Sequence, residues 1–379
     1  MFRELFLGMF FGTFTGITPA LHVNTLAVVI GNFKIQEFNF VILVFTMGLT
    51  HTFLDSIPST FLGVPEEDTA LTVLPAHRLV LKGKALEVIN ISITASLLSL
   101  FLAIPLIPLY SHLVNLYTPS IGKVFVFAMF LILIFTERGI KKISALIIFL
   151  LSGILGLLID YLPLREPYFH IFVGLFGIPT LLQALNSSFE VGDENIEMNK
   201  GNFLRFSFLG TFFGMLASLL PTFTSSQAAL IGSFISKDER SFLTIAFSAN
   251  TANFFFSLLN FYFTGRTRNG ILVTIKEGYP ILSKEELIFL ILSSFLVGII
   301  VYIYGLFLAR TFGKIIQRLN YKALSICIIS GIFLFSFYLD SVLGIAVLVT
   351  SSLIGLLAVN LGVKRTNCMG VLMLKIMIK

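Results

Sequence analysis

The chain of 379 residues is 56% hydrophobic and only 12% charged, with a mean hydropathy of +0.95. A soluble domain carries about 25% charged residues, so this sequence has too little polar surface to be wrapped in water. The formal charge of +6 lies in short loops between apolar runs, not in a basic stripe interleaved with aromatics, which excludes nucleic acid and marks cytoplasmic loops of a membrane protein. Cys327 and Cys368 form neither a disulfide framework nor a zinc spacing and read as small core hydrophobes.

A helix needs about 20 apolar residues to cross the hydrocarbon. The first run carries on past Pro19 to about Ile30, longer than a signal peptide, and predicts a first transmembrane helix over 4–30. Further runs follow at 39–63, 86–109, 121–136, 143–161, 168–188, 203–235, 242–264, 286–308, 322–338 and 341–360; a tail at 369–378 is too brief to span alone. Prolines and polar clusters interrupt several of them. The expectation is an all-α polytopic protein of the cell membrane with ten to twelve membrane segments, some broken or re-entrant.

Residues 6–19, FLGMFFGTFTGITP, and 208–221, FLGTFFGMLASLLP, are identical at seven of fourteen positions, including Gly8/Gly210, Gly12/Gly214 and Pro19/Pro221. The same offset of 202 pairs Ala27 with Ala229, Phe53 with Phe255, Phe61 with Phe263 and Gly63 with Gly265. Weak internal symmetry of this kind is typical of secondary transporters. It divides the chain into repeats at 1–200 and 201–379. The loops 64–85, 137–142, 309–321 and the tail from Lys364 are basic, and 189–200 is acidic. Placing the basic loops inside puts the N-terminus inside and residue 202 outside, so the repeats are inverted. That requires an odd number of crossings in the first half, with 168–188 dipping in and returning. Arg266 and Arg268 then lie outside, against the rule.

Polar residues inside the runs mark the candidate site. Pro19 removes a backbone donor and breaks the first helix, and His22, Asn24 and Thr25 follow at once. The N-terminal end of a second half-helix would turn partial positive charge toward an anion. The alternative is a proline kink whose polar residues are satisfied by neighbours. The second repeat has its own cluster, Pro221, Thr222, Thr224, Ser225, Ser226 and Gln227, so the two halves can supply one substrate site, with Asn250 and Asn253 added from the next run. Asp55 is an acid well inside a span, with His51 four residues earlier on the same helix face and Ser56 beside it. An acid at that depth costs about 3 kcal/mol or more and is kept for an ion site, a relay or a partner. These three read as a coupling site for H⁺ or Na⁺, against a purely structural His–Asp hydrogen bond. No cofactor or metal is expected: His22, His51 and Asp55 lack the H-E-x-x-H pattern, and no G-x-S-x-G or Walker loop supports an enzyme. His77 and Arg78 could meet an anion at the cytoplasmic mouth, or serve only as positive-inside residues.

Four passages carry a resemblance: GTFTGITPALHVNTLA (12–27), GVPEEDTALTVLPAHRLVLKGKALEVI (63–89), VGLFGIPTLL (173–182) and GVKRTNCMGVLML (362–374). Together with 208–235 they resemble the large membrane subunit of tripartite tricarboxylate transporters, the TctA family, and in particular its shorter, divergent archaeal-type members. The resemblance implies an ion-driven permease for carboxylates, assisted by a small membrane subunit and an extracytoplasmic solute-binding protein. Where the family has Pro-Gly at both breaks, this chain has Pro19-Ala20 and Pro221-Thr222.

The reading is therefore an ion-coupled secondary transporter, not an enzyme, that moves a small carboxylate-bearing anion by alternating access between two repeats. A translocase of a lipid-linked phosphate such as polyprenyl phosphate is the alternative, since exposed helix donors suit a phosphate equally well. A membrane enzyme acting on lipid is a third. Membrane lipid is the surrounding partner, and the sequence leaves a homodimer open.

Overall fold

The computed structural model describes residues 1–379 except 19–22, 24–25, 28–29, 31–36, 64–69, 117, 185–191, 221–224, 233–237, 268, 319–320 and 379. Among the described residues there are helices and no strand. The first half holds α1 (Phe2–Ile17), α2 (Glu37–Leu54), α3 (Ser56–Leu62), α4 (Val73–Val80), α5 (Ala85–Ala103), α6 (Ile107–Leu116), α7 (Pro119–Phe135), α8 (Lys141–Leu158), α9 (Pro167–Phe172) and α10 (Ile178–Ala184). The second half holds α11 (Lys200–Ala217), α12 (Ser225–Gly232), α13 (Glu239–Thr264), α14 (Gly270–Gly278), α15 (Lys284–Gln317), α16 (Tyr321–Asn360) and α17 (Gly370–Ile378). Among the described residues, 6 helices are long and apolar enough to cross a membrane: Phe38–Leu62, Ala85–Leu116, Lys141–Tyr161, Glu239–Thr264, Lys284–Gln317 and Ser325–Asn360.

The repeated glycines explain how each half begins. On α1, Phe2, Phe6, Phe10 and Phe14 face outward, while Gly8, Gly12 and Gly16 face α2. A Cβ at Gly8 would collide with the Leu43 carbonyl, and one at Gly12 with the Met47 carbonyl. Gly210 and Gly214 approach the Ile245 and Ala249 carbonyls in the same way, each 202 residues on. Small residues at every fourth position let helix backbones touch, which replaces the hydrophobic driving force that lipid cannot supply. The order of contacts, Gly8 to Leu43 and Gly12 to Met47, makes α1 and α2 parallel, as it does α11 and α13. Parallel neighbours start on one side of the membrane, so the connection between them must return the chain to that side. The run 4–30 is therefore not the first crossing the sequence predicts. α1 ends at Ile17, two residues before Pro19 in the sequence.

α2 runs antiparallel to α13. Phe45 and Gly48 pack on Phe254 while Asp55, just past the C-terminal end of α2, meets Asn250, earlier on α13. The N-terminal end of α13 carries Arg240, which donates to Glu87 Oε1 at 2.6 Å and Oε2 at 2.9 Å and to Glu197 Oε2 at 2.6 Å. Lys84 also pairs with Glu197, and Arg310 forks onto Glu194 at 2.7 Å. The acidic loop 189–200 thus shares a face with the basic residues of 64–85 and 309–321, which corrects its expected place outside them. Its carboxylates neutralise that face's cations, a cancellation a loop-by-loop charge count cannot see. The same face receives Lys141, whose Nζ donates to the Gly362 carbonyl, and Lys364, whose N–H donates to Glu137 Oε1. Lys84, Arg310, Lys141 and Lys364 share this one face, where the positive-inside rule expects the cytoplasm. The N-terminal end of α1 lies on the other, also against expectation.

α16 would be about 60 Å long if straight. It is interrupted at Asp340 and Ser341, where Ser341 has φ 51 and ψ −139, so the runs 322–338 and 341–360 are two spans. Gly139, 202 residues earlier between α7 and α8, also has a positive φ of 56. The ends of the two halves are exchanged. Gly153 and Gly156 of α8 admit Leu374 and Val371 of α17, and Gly355 of α16 admits the Leu175 carbonyl of the π-turn Val173–Gly177 that joins α9 to α10.

Candidate functional site

Two helix ends and one helix interruption fall at the polar positions of the sequence. α1 stops at Ile17, and Thr18 is extended (φ −93, ψ 111), the conformation a following proline favours. α11 stops at Ala217 and helix resumes at Ser225. The end of α11 is held by neighbours: Asn260 Nδ2 donates to the Ser218 carbonyl at 2.9 Å, and Ser218 Oγ donates to Tyr110 Oη at 2.9 Å. Pro19, His22, Asn24, Thr25, Pro221, Thr222, Thr224 and the side chain of Ser226 lie outside the described residues. Ser225 and Gln227 are buried on α12, which packs on α13.

Asp55 stands at the junction of α2 and α3, where Pro58 has no N–H for the Leu54 carbonyl. Its carboxylate is buried (4% exposed). Asn250 Nδ2 donates to Asp55 Oδ2 at 3.5 Å, so a carboxylate of the first half meets an amide of the second. His51 is buried on the preceding turn, with Nδ1 3.1 Å from Thr15 Oγ1 of α1. Ser56 Oγ turns back to the Phe53 carbonyl at 3.4 Å. Asn253 is half-buried on α13, and its Oδ1 has no partner among the described residues. The structure thus brings Asp55 and Asn250 together across the two halves and ties His51 to α1.

A second polar region lies at the basic face. A cavity of about 650 Å³ opens between α4 and the 362–366 loop. His77 on α4 is buried, with neither ring nitrogen hydrogen-bonded among the described residues. Arg78 beside it is exposed and lies 3.9 Å from Glu239. Arg365 enters from the other side. Its Nη1 donates to the Phe176 carbonyl at 3.0 Å and to Thr180 Oγ1 at 2.8 Å. Sequence reasoning named His77 and Arg78 but missed Arg365, which stands in a basic tail and reads there only as a topology signal. Burial, and after it the Arg365 charge, pushes the His77 imidazole down to about 4; burial likewise pushes Arg365 down to about 10, still charged at neutral pH.

A polytopic all-α membrane protein with interrupted helices and a buried acid between sequence-related halves has the architecture that secondary transporters use. The comparisons make this specific: residues 4–370 match the Tripartite tricarboxylate transporter TctA family, and the chain belongs to that family, the permease component of such transporters. An uncharacterized protein of Methanocaldococcus jannaschii is 31% identical over 392 residues, covering 97% of this chain and 96% of its own. No solved structure matches.

Proposed function

We propose that this chain is an ion-coupled permease for a small carboxylate-bearing anion, working by alternating access between inverted repeats at 1–200 and 201–379. The observation that carries the reading is Asp55, a carboxylate buried inside a span at a helix interruption and facing Asn250 of the opposite half. Holding an acid there costs about 3 kcal/mol, a cost that a group which binds H⁺ or Na⁺ in turn with the solute would justify. Two features support the repeats: helix bounds that recur at an offset of 202, and the antiparallel course of α2 and α13, which occupy the same place in the two halves.

In this reading the interruptions after Ile17 and Ala217 supply backbone donors and hydroxyls to the solute carboxylate, with His22, Asn24, Thr25 and Thr222 to Gln227 lining it. Asp55, with His51 and Ser56, takes the ion. A small membrane subunit and an extracytoplasmic solute-binding protein complete the tripartite system. The test is uptake into proteoliposomes of a panel of di- and tricarboxylates, with and without Na⁺ or pH gradients. Wild-type uptake should follow one gradient, and Asp55→Asn should abolish that dependence. Gradient-driven uptake that is unchanged in the Asn variant would refute the coupling role.

A further inference from the structure

The cavity at the basic face is lined by Arg78, Lys364, Arg365, His77 and Thr366, with no carboxylate lining it among the described residues. Its volume is that of a small-ligand pocket. Arg365 is 7% exposed and His77 6% exposed. Arg365 Nη2, both His77 ring nitrogens and Thr366 Oγ1 are buried without a partner among the described residues. Among the described residues this buried guanidinium is answered only by a neutral carbonyl and a hydroxyl, which is costly to leave so. The loop is nevertheless fixed. Lys364 N–H and Asn367 Nδ2 both donate to Glu137 Oε1, at 2.8 and 3.3 Å, and Lys141 holds the Gly362 carbonyl. Glu137 is thus spent on backbone and amide donors and does not serve as the counter-ion of Arg365. The residues that carry these donors line the cavity from two directions, α4 of the first half and the 362–366 loop of the second.

We propose that this cavity binds an oxyanion, with Arg365 Nη2, a His77 ring N–H and the Thr366 hydroxyl as its donors. Carboxylate and phosphate present the same chemistry to such a set. The assignment rests on the permease reading for its physiological ligand, a carboxylate of the transported solute at the cytoplasmic mouth, and it adds a binding station apart from Asp55. Because its donors come from both halves, an anion bound there clamps them together.

The test uses full-length protein in phosphatidylcholine nanodiscs, titrated calorimetrically with citrate and then with inorganic phosphate, and repeated in discs containing phosphatidylglycerol. Wild type should bind citrate, and Arg365→Gln and His77→Gln should weaken binding by about 10- to 150-fold, the range of a lost charge-assisted hydrogen bond. Phosphate competition identifies a general oxyanion site. Citrate binding that phosphatidylglycerol suppresses in wild type identifies a lipid headgroup as the occupant of the same site. Arg365→Gln loses its Thr180 anchor as well. If it does not fold, His77→Gln and Thr366→Val carry the comparison, since the polar atoms they replace have no partner among the described residues. Folded variants that bind both anions as wild type does overturn the site. Uptake separates the two readings. Gradient-driven uptake by wild type with an unaffected Arg365→Gln overturns the site and leaves the permease standing. Citrate binding lost in Arg365→Gln, without any uptake by wild type, does the reverse.

Discussion

Glu87 is fully buried near the start of α5, yet the sequence offers no sign that it differs from any loop-edge acid. Its environment makes it central: Arg240 forks onto both carboxylate oxygens, and the Glu197 N–H donates to Oε1 at 2.7 Å. Replacing it with Ala removes both of its hydrogen bonds to the Arg240 guanidinium and leaves the more exposed Glu197 as the carboxylate partner, a loss of about 1.5–3 kcal/mol for each bond to a charged group. Glu87→Ala should therefore lower the thermal midpoint in detergent far more than Lys84→Gln, which removes only an exposed pair worth little. His77 provides a pH signature. It lies outside the long spans, and its imidazole is held at about 4 instead of 6.5. Between those values the unfolded chain binds a proton that the folded chain refuses, so stability present above pH 6.5 is lost as pH falls toward 4. Of the charged groups around it, Arg365 stays protonated throughout this window, Arg78 lies 3.9 Å from Glu239, and Lys364 lines the same cavity. The stability difference between wild type and His77→Gln should shrink or reverse on acidification, measured as the thermal midpoint at several pH values.

At the scale of elements, the turn after residue 338 matches the turn after 136. Gly139 takes a positive φ without cost, whereas Ser341 takes one with a Cβ. Strained conformations of this kind cost about 1–3 kcal/mol, and the surroundings enforce this one. Asp340 accepts from the Arg165 and Glu166 N–H groups at 2.6 and 3.1 Å and lies 2.8 Å from His170 Nε2, whose Nδ1 is 2.9 Å from Ser336 Oγ. Ser341→Gly should stabilise the protein by about 1 kcal/mol, and Gly139→Ser should destabilise it by a similar amount, both read from denaturation midpoints. Helix existence was legible from the apolar runs, and the proline-based interruptions after Ile17 and Ala217 were legible from local chemistry. Whether a run crosses or returns was not. Run 4–30 has the hydropathy to span, and the direction of α2, on which α1 packs, lies beyond any local window.

At the scale of the whole molecule, the two halves are joined by exchanged ends, α17 on α8 and the second part of α16 on α9 and the π-turn. Gly156 receives the Val371 carbonyl directly. Gly156→Leu should cost more than the about 1–3 kcal/mol of ordinary core overpacking, because a backbone cannot move aside as a side chain can. The expected readout is loss of a monodisperse peak on size exclusion, with the exposed Gly331→Leu as a tolerated control, since nothing lies near its Cβ direction.

By itself the sequence determined the membrane class, the apolar runs, the 202-residue repeat and the family, because each is written in local composition or in the spacing of small residues and prolines. Asp55 was legible for the same reason: an acid in a hydrophobic run is visible without a fold. Only the tertiary structure decided which run turns back, which face holds the acidic loop, that Asp55 meets Asn250, and that Arg365 comes to lie across a cavity from His77. Those outcomes depend on pairing residues between about 40 and 290 positions apart in the chain, and hydropathy carries no information about which distant helix a given face will meet.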